Sequence, residues 1–378
     1  MQRRPIWIKS RKNLLNQVKK QVLAFVGEDA EVNSYAEAYK REFFGRWERS
    51  SYQSLFADLN SAHFVLGGYF HAFSQSQRSH LRVLRHIVEQ RQLIIAVECI
   101  ESRYQEVLDQ FLANSIDEKK FLNKVKWQSH WGFPWENYKP IFEFAKSFNI
   151  KMVAINRFYR KKNLAHLKNR DAHACRRLAA VHNTYPTALI YVIFGDLHLA
   201  SEHLPKKLMT WLSEQKKSPK VVRVFLNSEK LYFKLAGQQL ENQIEVMKSS
   251  RHRYCLLTSP PWVKWQGYLM YLEQAYDRDL LEDDIIDFTD RVGQLVSLIA
   301  KDVRVPVALK NLAVYRGADD NFWFHISNHL SVKDLKTVEN LIVGDRSFLI
   351  PQLKIAFLSR ASINHCAALA GYYVHTEL

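Results

Sequence analysis

Four apolar runs in this chain end in side chains able to bind a proton, a metal ion or an anion. "FVLGGYFH" delivers Tyr69 and His71, and "LIIAVECIE" delivers Glu98. "KMVAINR" delivers Asn156 and Arg157, and "YVIFGDLH" delivers Asp196 and His198. Histidine and glutamate at such positions suit general acid/base work or metal ligation; asparagine and arginine suit anion recognition. Simpler roles exist for each residue. A strand-end histidine often only bonds a neighbouring loop, and Asn156 or Asp196 would serve as a helix cap. Glu98 is harder to explain that way, because a carboxylate inside an apolar run must find a partner or shift its pKa. His71, His198 and Arg157 are the partners the sequence offers. Four polar endings together point to one shared crevice.

The elements that would bring these endings together alternate strand and helix from residue 60 to about 235. Strands are expected at His63 to Phe70, Leu93 to Cys99, Lys151 to Ile155, Ala188 to Phe194 and Val221 to Leu226. Helices are expected at Ser76 to Gln90, Tyr104 to Leu112, Glu118 to Val125, Ile141 to Phe148 and Ala172 to Val181. The runs "LIIAV" and "ALIYVIF" are apolar throughout, as strands covered on both faces require. The expected fold class is therefore α/β, a mostly parallel sheet flanked by helices, whose ligands bind beyond the carboxyl ends of the strands. Gly67-Gly68 is read as a place where the backbone turns without Cβ crowding.

Outside that block the pattern changes. Leu14, Leu15, Val18, Val22 and Phe25 fit one face of an amphipathic helix. After residue 237, Gln239 to Met247, Trp262 to Tyr276 and Asp283 to Ile299 read as helices, and a last helix falls near Ile363 to Tyr373. "SPPW" before the second of these fits a proline in the first helical turn. The expected division is a helical segment over 1–58, an α/β domain over 59–236 and a mainly helical C-terminal region over 237–378.

Composition bounds the partners. Hydrophobic residues make up 47% and charged residues 24% of the 378, which excludes global disorder. The formal net charge of +16 admits an anionic cofactor, an anionic lipid surface or nucleic acid. Nucleic acid is disfavoured, because only "RFYRKKN" at 157–163 combines basic and aromatic residues. The cysteines, Cys99, Cys175, Cys255 and Cys366, form no C-x-x-C pair, so neither a zinc knuckle nor a disulfide framework is indicated. Leu14 to Val26 is interrupted by polar residues and makes no signal-peptide core, and no apolar run reaches the length of a membrane span. A cytoplasmic location is expected, with peripheral membrane contact through the basic N-terminal helix as the minority reading.

Two G-x-x-H motifs, Gly68 to His71 in "GYFH" and Gly195 to His198 in "GDLH", resemble those of the Tiki/TraB/erythromycin-esterase/ChaN superfamily. The segment "FLNKVKWQSHWGFPWENYKPIFEFAKSFNIKMVAINR" is similar to the one that follows the second strand in ChaN-type haem-binding proteins, and "AVECI" matches that family's strand ending in Glu. The resemblance covers roughly residues 60 to 205. It implies haem binding in iron or haem acquisition, in some members between two subunits, so a homodimer is among the implied partners. Carried over, His71, Glu98, Asn156 and His198 fall on motif positions, and Trp131, Trp135 and Tyr138 fall in the aromatic segment. Haem chemistry agrees: iron accepts His or Tyr, flat apolar walls suit the macrocycle, and Arg157 or Arg160 would pair propionates. The alternative the superfamily implies is a metal-dependent hydrolase with His71, Glu98 and His198 as divalent-metal ligands or acid/base groups. This chain has Tyr69 where the family usually has Glu, which weakens the hydrolase reading and suggests a phenolate for ferric iron. ChaN members are often lipoproteins, and no lipid-accepting cysteine is evident here.

Overall fold

The computed structural model describes residues 6–27, 29–157, 166–249, 252–280, 288–316, 320–343, 346–359 and 363–377. Its contacts divide it into two units, Met1–Leu269 and Met270–Leu378. The first is built on an eight-stranded sheet: β1 (Glu48–Arg49), β2 (Phe64–Tyr69), β3 (Leu93–Glu101), β4 (Lys151–Asn156), β5 (Leu189–Gly195), β6 (Val221–Leu226), β7 (Val246–Ser249) and β8 (Arg253–Leu256). The spatial order is β1-β7-β8-β6-β2-β5-β3-β4. Pairings from β8 to β4 are parallel, and only β7 with β8 and β1 with β7 are antiparallel. The expected α/β class holds.

Alternation along the central strands shows why they read as unbroken apolar runs. Ile95, Val97, Tyr191 and Ile193 enter the cluster on one face, with the helices Ser74–Ile87, Gln105–Leu112 and Trp135–Ser147. Their neighbours Ile94, Ala96, Val192 and Phe194 enter the cluster on the other, with the helices Ala30–Arg41, His166–Thr184 and Leu204–Glu214. Both faces are covered, so successive side chains on each strand must be apolar.

The N-terminal helix Ile6–Val26 buries Ile8, Leu15, Val18 and Val22 against this unit, while Leu14 and Phe25 stay exposed. Its apolar stripe is thus narrower than the sequence suggested and is used in packing. No helix among the described residues is long and apolar enough to cross a membrane.

Three expectations need correction. Gln239 to Met247 is not a helix: its end forms β7, whose Met247 pairs with Cys255 and with Arg49. Pairing across the sheet overrides the helical spacing of so short a stretch. Because β7 and β8 extend the sheet, a boundary at 236/237 would cut through it. Gly67 and Gly68 are strand residues, not turn residues; close approach is what requires them there. A Cβ on Gly67 would sit 2.7 Å from His80 Cε1, and one on Gly68 would sit 2.9 Å from Leu199 Cδ2.

The second unit is mainly helical, with Thr289–Val303, Asp320–Ser327, Val332–Val343 and Ile363–Thr376. It also holds a small sheet of β9 (Ala313–Arg316), β10 (Phe348–Ile350) and β11 (Ile355–Leu358), ordered β10-β11-β9. Strands of three or four residues carry too little alternation to be read from sequence.

Candidate functional site

Strand β5 lies between β2 and β3. Tyr69 pairs in register with Gly195, so the residues just beyond these two positions emerge side by side. Glu98 comes from β3 on the other flank, within a register shift between Val97 and Glu101 that re-aims the strand end. The three side chains converge on Gly195. A Cβ there would lie 2.9 Å from His71 Cε1, 3.3 Å from Glu98 Oε2 and 3.4 Å from His198 Cδ2. His71, Glu98 and His198 are thus brought together at the carboxyl ends of β2, β3 and β5.

Glu98 is 0% exposed and both of its oxygens are taken. Oε1 accepts from the Arg170 guanidinium, and Oε2 accepts from Gly195 N at 2.6 Å and lies 3.4 Å from His71 Nε2. Burial pushes its carboxyl up, but Arg170 foremost, then His71 and His198, hold it well below the usual glutamate range. The dominant partner is therefore Arg170, on the helix His166–Thr184; of the three partners the sequence offered, His71 and His198 also act on Glu98 and Arg157 does not. Arg170 also bonds Asn156 Oδ1 through Nε (3.1 Å), and the same oxygen accepts from Arg157 N (2.8 Å). Asn156 thus joins the site by way of Arg170.

His198 is held from its other side. Asp171 Oδ1 lies 2.6 Å from His198 Nδ1, and Asp171 Oδ2 accepts from the Tyr35 hydroxyl at 2.8 Å. Asp171 is fully buried. Neither Arg170 nor Asp171 was legible beforehand. Both sit in a charge-rich helical stretch whose ordinary reading is a solvated face, and Asp171's partners lie 136 and 27 residues away. Asp196, also buried at the strand end, has its carboxyl raised by burial, against the charges of Lys264 and His71.

The aromatic segment divides. His71, with 31% of its side chain exposed, packs against Trp131 and Phe133 at ring-centroid distances of 5.1 and 5.2 Å, the latter stacked. Tyr69 lies 4.8 Å away, and the Tyr138 hydroxyl donates to the His71 carbonyl at 3.0 Å. Tyr69 and Tyr138 are both buried, and burial pushes both phenols well up, so a phenolate from Tyr69 does not fit this environment. Trp135 does not reach the crevice: it packs in the core with Phe121, Trp127 and Phe142. Arg157 is exposed at the end of β4, whereas Arg160 and most of "RFYRKKN" lie outside the described residues.

Among the described residues no group of three or more His, Cys, Asp or Glu side chains is placed to hold a metal ion. For His71, Glu98 and His198 the reason is visible: Glu98 is engaged by Arg170 and Gly195, and His198 Nδ1 by Asp171. As a donor set for haem iron the crevice is more suitable. His71 Nδ1 has no partner among the described residues, and the Trp131 indole and Phe133 phenyl ring pack beside the imidazole and against each other.

Residues 55–166 match the family model described as haem-binding uptake, Tiki superfamily, ChaN. The resemblance carried by the sequence motifs is thus shown over that segment, which holds His71, Glu98, Trp131 and Asn156 but not Arg170, Asp171 or His198. Among solved structures, the chain is similar to ChaN of Campylobacter jejuni with cofacially bound haem: 16% identity, 48% of this chain, 88% of that chain, TM-score 0.37. It is also similar to the C-terminal region of Pasteurella multocida toxin, which has a thiol-protease-like catalytic triad: 18% identity, 48% of this chain, 26% of that chain, TM-score 0.30. A third is RRSP, a MARTX toxin effector domain of Vibrio vulnificus: 18% identity, 48% of this chain, 40% of that chain, TM-score 0.30. No curated protein matches the chain.

Proposed function

We propose that the crevice at the carboxyl ends of β2, β3 and β5 binds haem and that the protein serves in iron or haem acquisition or handling. The observation that carries this reading is His71: a partly exposed imidazole packed against Trp131 and Phe133, within the segment that matches the haem-binding family. His71 is the group for the iron, with Glu98 fixing its ring from the Nε2 side. Trp131 and Phe133 supply apolar walls, and Arg157 supplies positive charge for a propionate. Bound there, haem would bring axial-ligand and redox chemistry tuned by these neighbours. Tyr69 packs against the imidazole, and Tyr138 holds the His71 backbone. A homodimer is part of this reading, since the family resemblance implies shared haem sites.

Titration with haemin tests it. A saturable, stoichiometric Soret shift is expected, with a change of spectral type in His71→Ala. Trp131→Ala should weaken affinity and leave the form of the spectrum unchanged, because it removes wall area and not a ligand. Open-ended uptake that is the same in His71→Ala would refute the reading, since haemin adheres to basic, aromatic surfaces without any site.

One observation favours a second reading, hydrolysis. The Asp171–His198 bond engages Nδ1 and leaves His198 Nε2 without a partner among the described residues, an arrangement that fits an acid/base histidine. Metal retained through purification and lost together with His71 and His198 would move the assignment to that class.

A further inference from the structure

The helix Ala30–Arg41 lies before the family-matched segment, yet it grips the helix that holds the crevice together. Glu31 stands at the N-terminus of His166–Thr184. Its carboxylate accepts from Leu167 N and Lys168 N, both at 3.1 Å, and lies 2.9 Å from His166 Nδ1. This satisfies backbone donors that the first helical turn leaves open and places negative charge where the helix dipole favours it. One turn further along, Tyr35 donates to Asp171 Oδ2 (2.8 Å). Its ring lies flat on His203, with centroids 3.5 Å apart and planes inclined by 2°. Glu31 and Tyr35 thus fix both the start of the second helix and the point, four residues on, where it turns Arg170 to Glu98 and Asp171 to His198.

The consequence falls on His198. An ionised Asp171 accepts only, and its second oxygen already takes the Tyr35 proton. The short contact at Oδ1 therefore requires the proton on His198 Nδ1. In the neutral imidazole Nε2 is then the unprotonated nitrogen. It adjoins Cδ2, the atom nearest Gly195, and has no partner among the described residues. We infer that Tyr35 and Asp171 are positioning residues which hold His198 as the Nδ1–H tautomer and present its Nε2 lone pair to the ligand in the crevice. The helix Ala30–Arg41 thereby belongs to the site. This rests on the crevice being the ligand site; the tautomer itself does not.

Two measurements on the full chain separate the parts. In the first, 15N-labelled protein is examined by long-range 1H–15N correlation of the imidazoles, with His198 assigned by its loss in His198→Gln. The parent should show Nδ1–H. Tyr35→Phe should give a mixture, and Asp171→Asn should lose the preference. Tyr35→Phe removes a single oxygen and keeps the ring on His203, so it guards against a merely unfolded variant, and far-UV circular dichroism should be unchanged.

The second measurement is haemin titration of the same proteins. Asp171→Asn should weaken binding by about 10- to 100-fold, the usual cost of losing a partner behind a ligating or contacting histidine, and Tyr35→Phe should weaken it less. Nε2–H in the parent, or a tautomer unchanged in both variants, overturns the inference. So does a changed tautomer with unchanged haemin affinity, because His198 would then be held without serving the ligand. If the parent shows no saturable haemin site, the haem reading fails, and the tautomer comparison alone decides whether the Tyr35–Asp171–His198 chain acts as described.

Discussion

Replacing Glu98 by Gln is close to isosteric, but the structure makes it costly. The carboxylate faces three groups: Arg170 at Oε1, and Gly195 N and His71 Nε2 at Oε2. An amide has one accepting oxygen and one donating nitrogen. Turned either way, its NH2 meets the Arg170 guanidinium or the Gly195 N–H, donor against donor, at a fully buried position. A buried donor left without an acceptor costs about 1–3 kcal/mol. Arg170→Met should cost more, about 3–5 kcal/mol, because it leaves a buried charge without its main partner. The double variant removes both the charge and the clash, so it should be more stable than the sum of the singles predicts, with a coupling of about 0.5–3 kcal/mol. Urea unfolding at pH 7 measures all three. The pH dependence has a definite sign. A carboxyl whose folded pKa is depressed stabilises the fold above its ordinary value, about 4.5, and loses that contribution as the pH falls toward the folded value. The gap between parent and Glu98→Gln should be flat from neutrality to near pH 5 and narrow below it. A Glu98→Gln variant within about 0.5 kcal/mol of the parent, with no coupling to Arg170, would refute the buried network.

His80 gives an acid-sensitive counterpart. Buried between the Tyr191 hydroxyl and the Gly68 carbonyl, its imidazole is lowered by desolvation to about 4 from an ordinary 6.5. The unfolded chain therefore takes up the proton first, and about 2 kcal/mol of stability should be lost between pH 7 and pH 5; urea unfolding at the two pH values should show this part of the slope missing in His80→Leu. Gly67→Ala would place its Cβ 2.7 Å from His80 Cε1 and 3.2 Å from the Val192 carbonyl and should cost about 1–3 kcal/mol. Gly371→Ala, in the helix Ile363–Thr376 with nothing within 4 Å, should be neutral or stabilising by about 0.5–1 kcal/mol; equal thermal shifts in the two variants would contradict the packing described. Charge removal at Arg157 should make haemin binding less salt-dependent, read from titrations at two ionic strengths.

The five expected strands appear within one or two residues of their predicted ends because each is a short apolar run covered on both faces. The polar endings were legible for the same reason: His71, Glu98, Asn156 and His198 interrupt a pattern that otherwise admits nothing charged. What escaped was everything set by distant partners. Arg170 and Asp171 look like surface charges in "HLKNRDAHACRR", and only the approach of Glu98 and of Tyr35 turns them inward. Likewise β7 and β8 are short, and their place at the sheet edge depends on pairing with β6 and β1. Trp135 and Trp131 belong to one aromatic stretch, yet Trp135 opens the helix Trp135–Ser147 and turns into the core, whereas Trp131 lies in the turn before it, beside His71.

The glycines of the two G-x-x-H motifs acquire a common physical meaning. Neither Gly68 nor Gly195 is needed for a left-handed turn, since Gly68 lies within β2 and Gly195 ends β5. Each instead clears a space that a Cβ would fill. At Gly68 the space takes Leu199 and the Asp196 backbone, which follow β5; at Gly195 it takes His71, which follows β2, together with Glu98 and His198. Each glycine thus admits residues from the motif on the neighbouring strand, so the two motifs are complementary halves of one contact. Any other residue at either position would push the strand ends apart. The histidine at the third position after each glycine is placed by that contact, and this is why a pattern so short marks a site. Glycine makes the approach, and Arg170 and Asp171 then fix Glu98 and His198 within it.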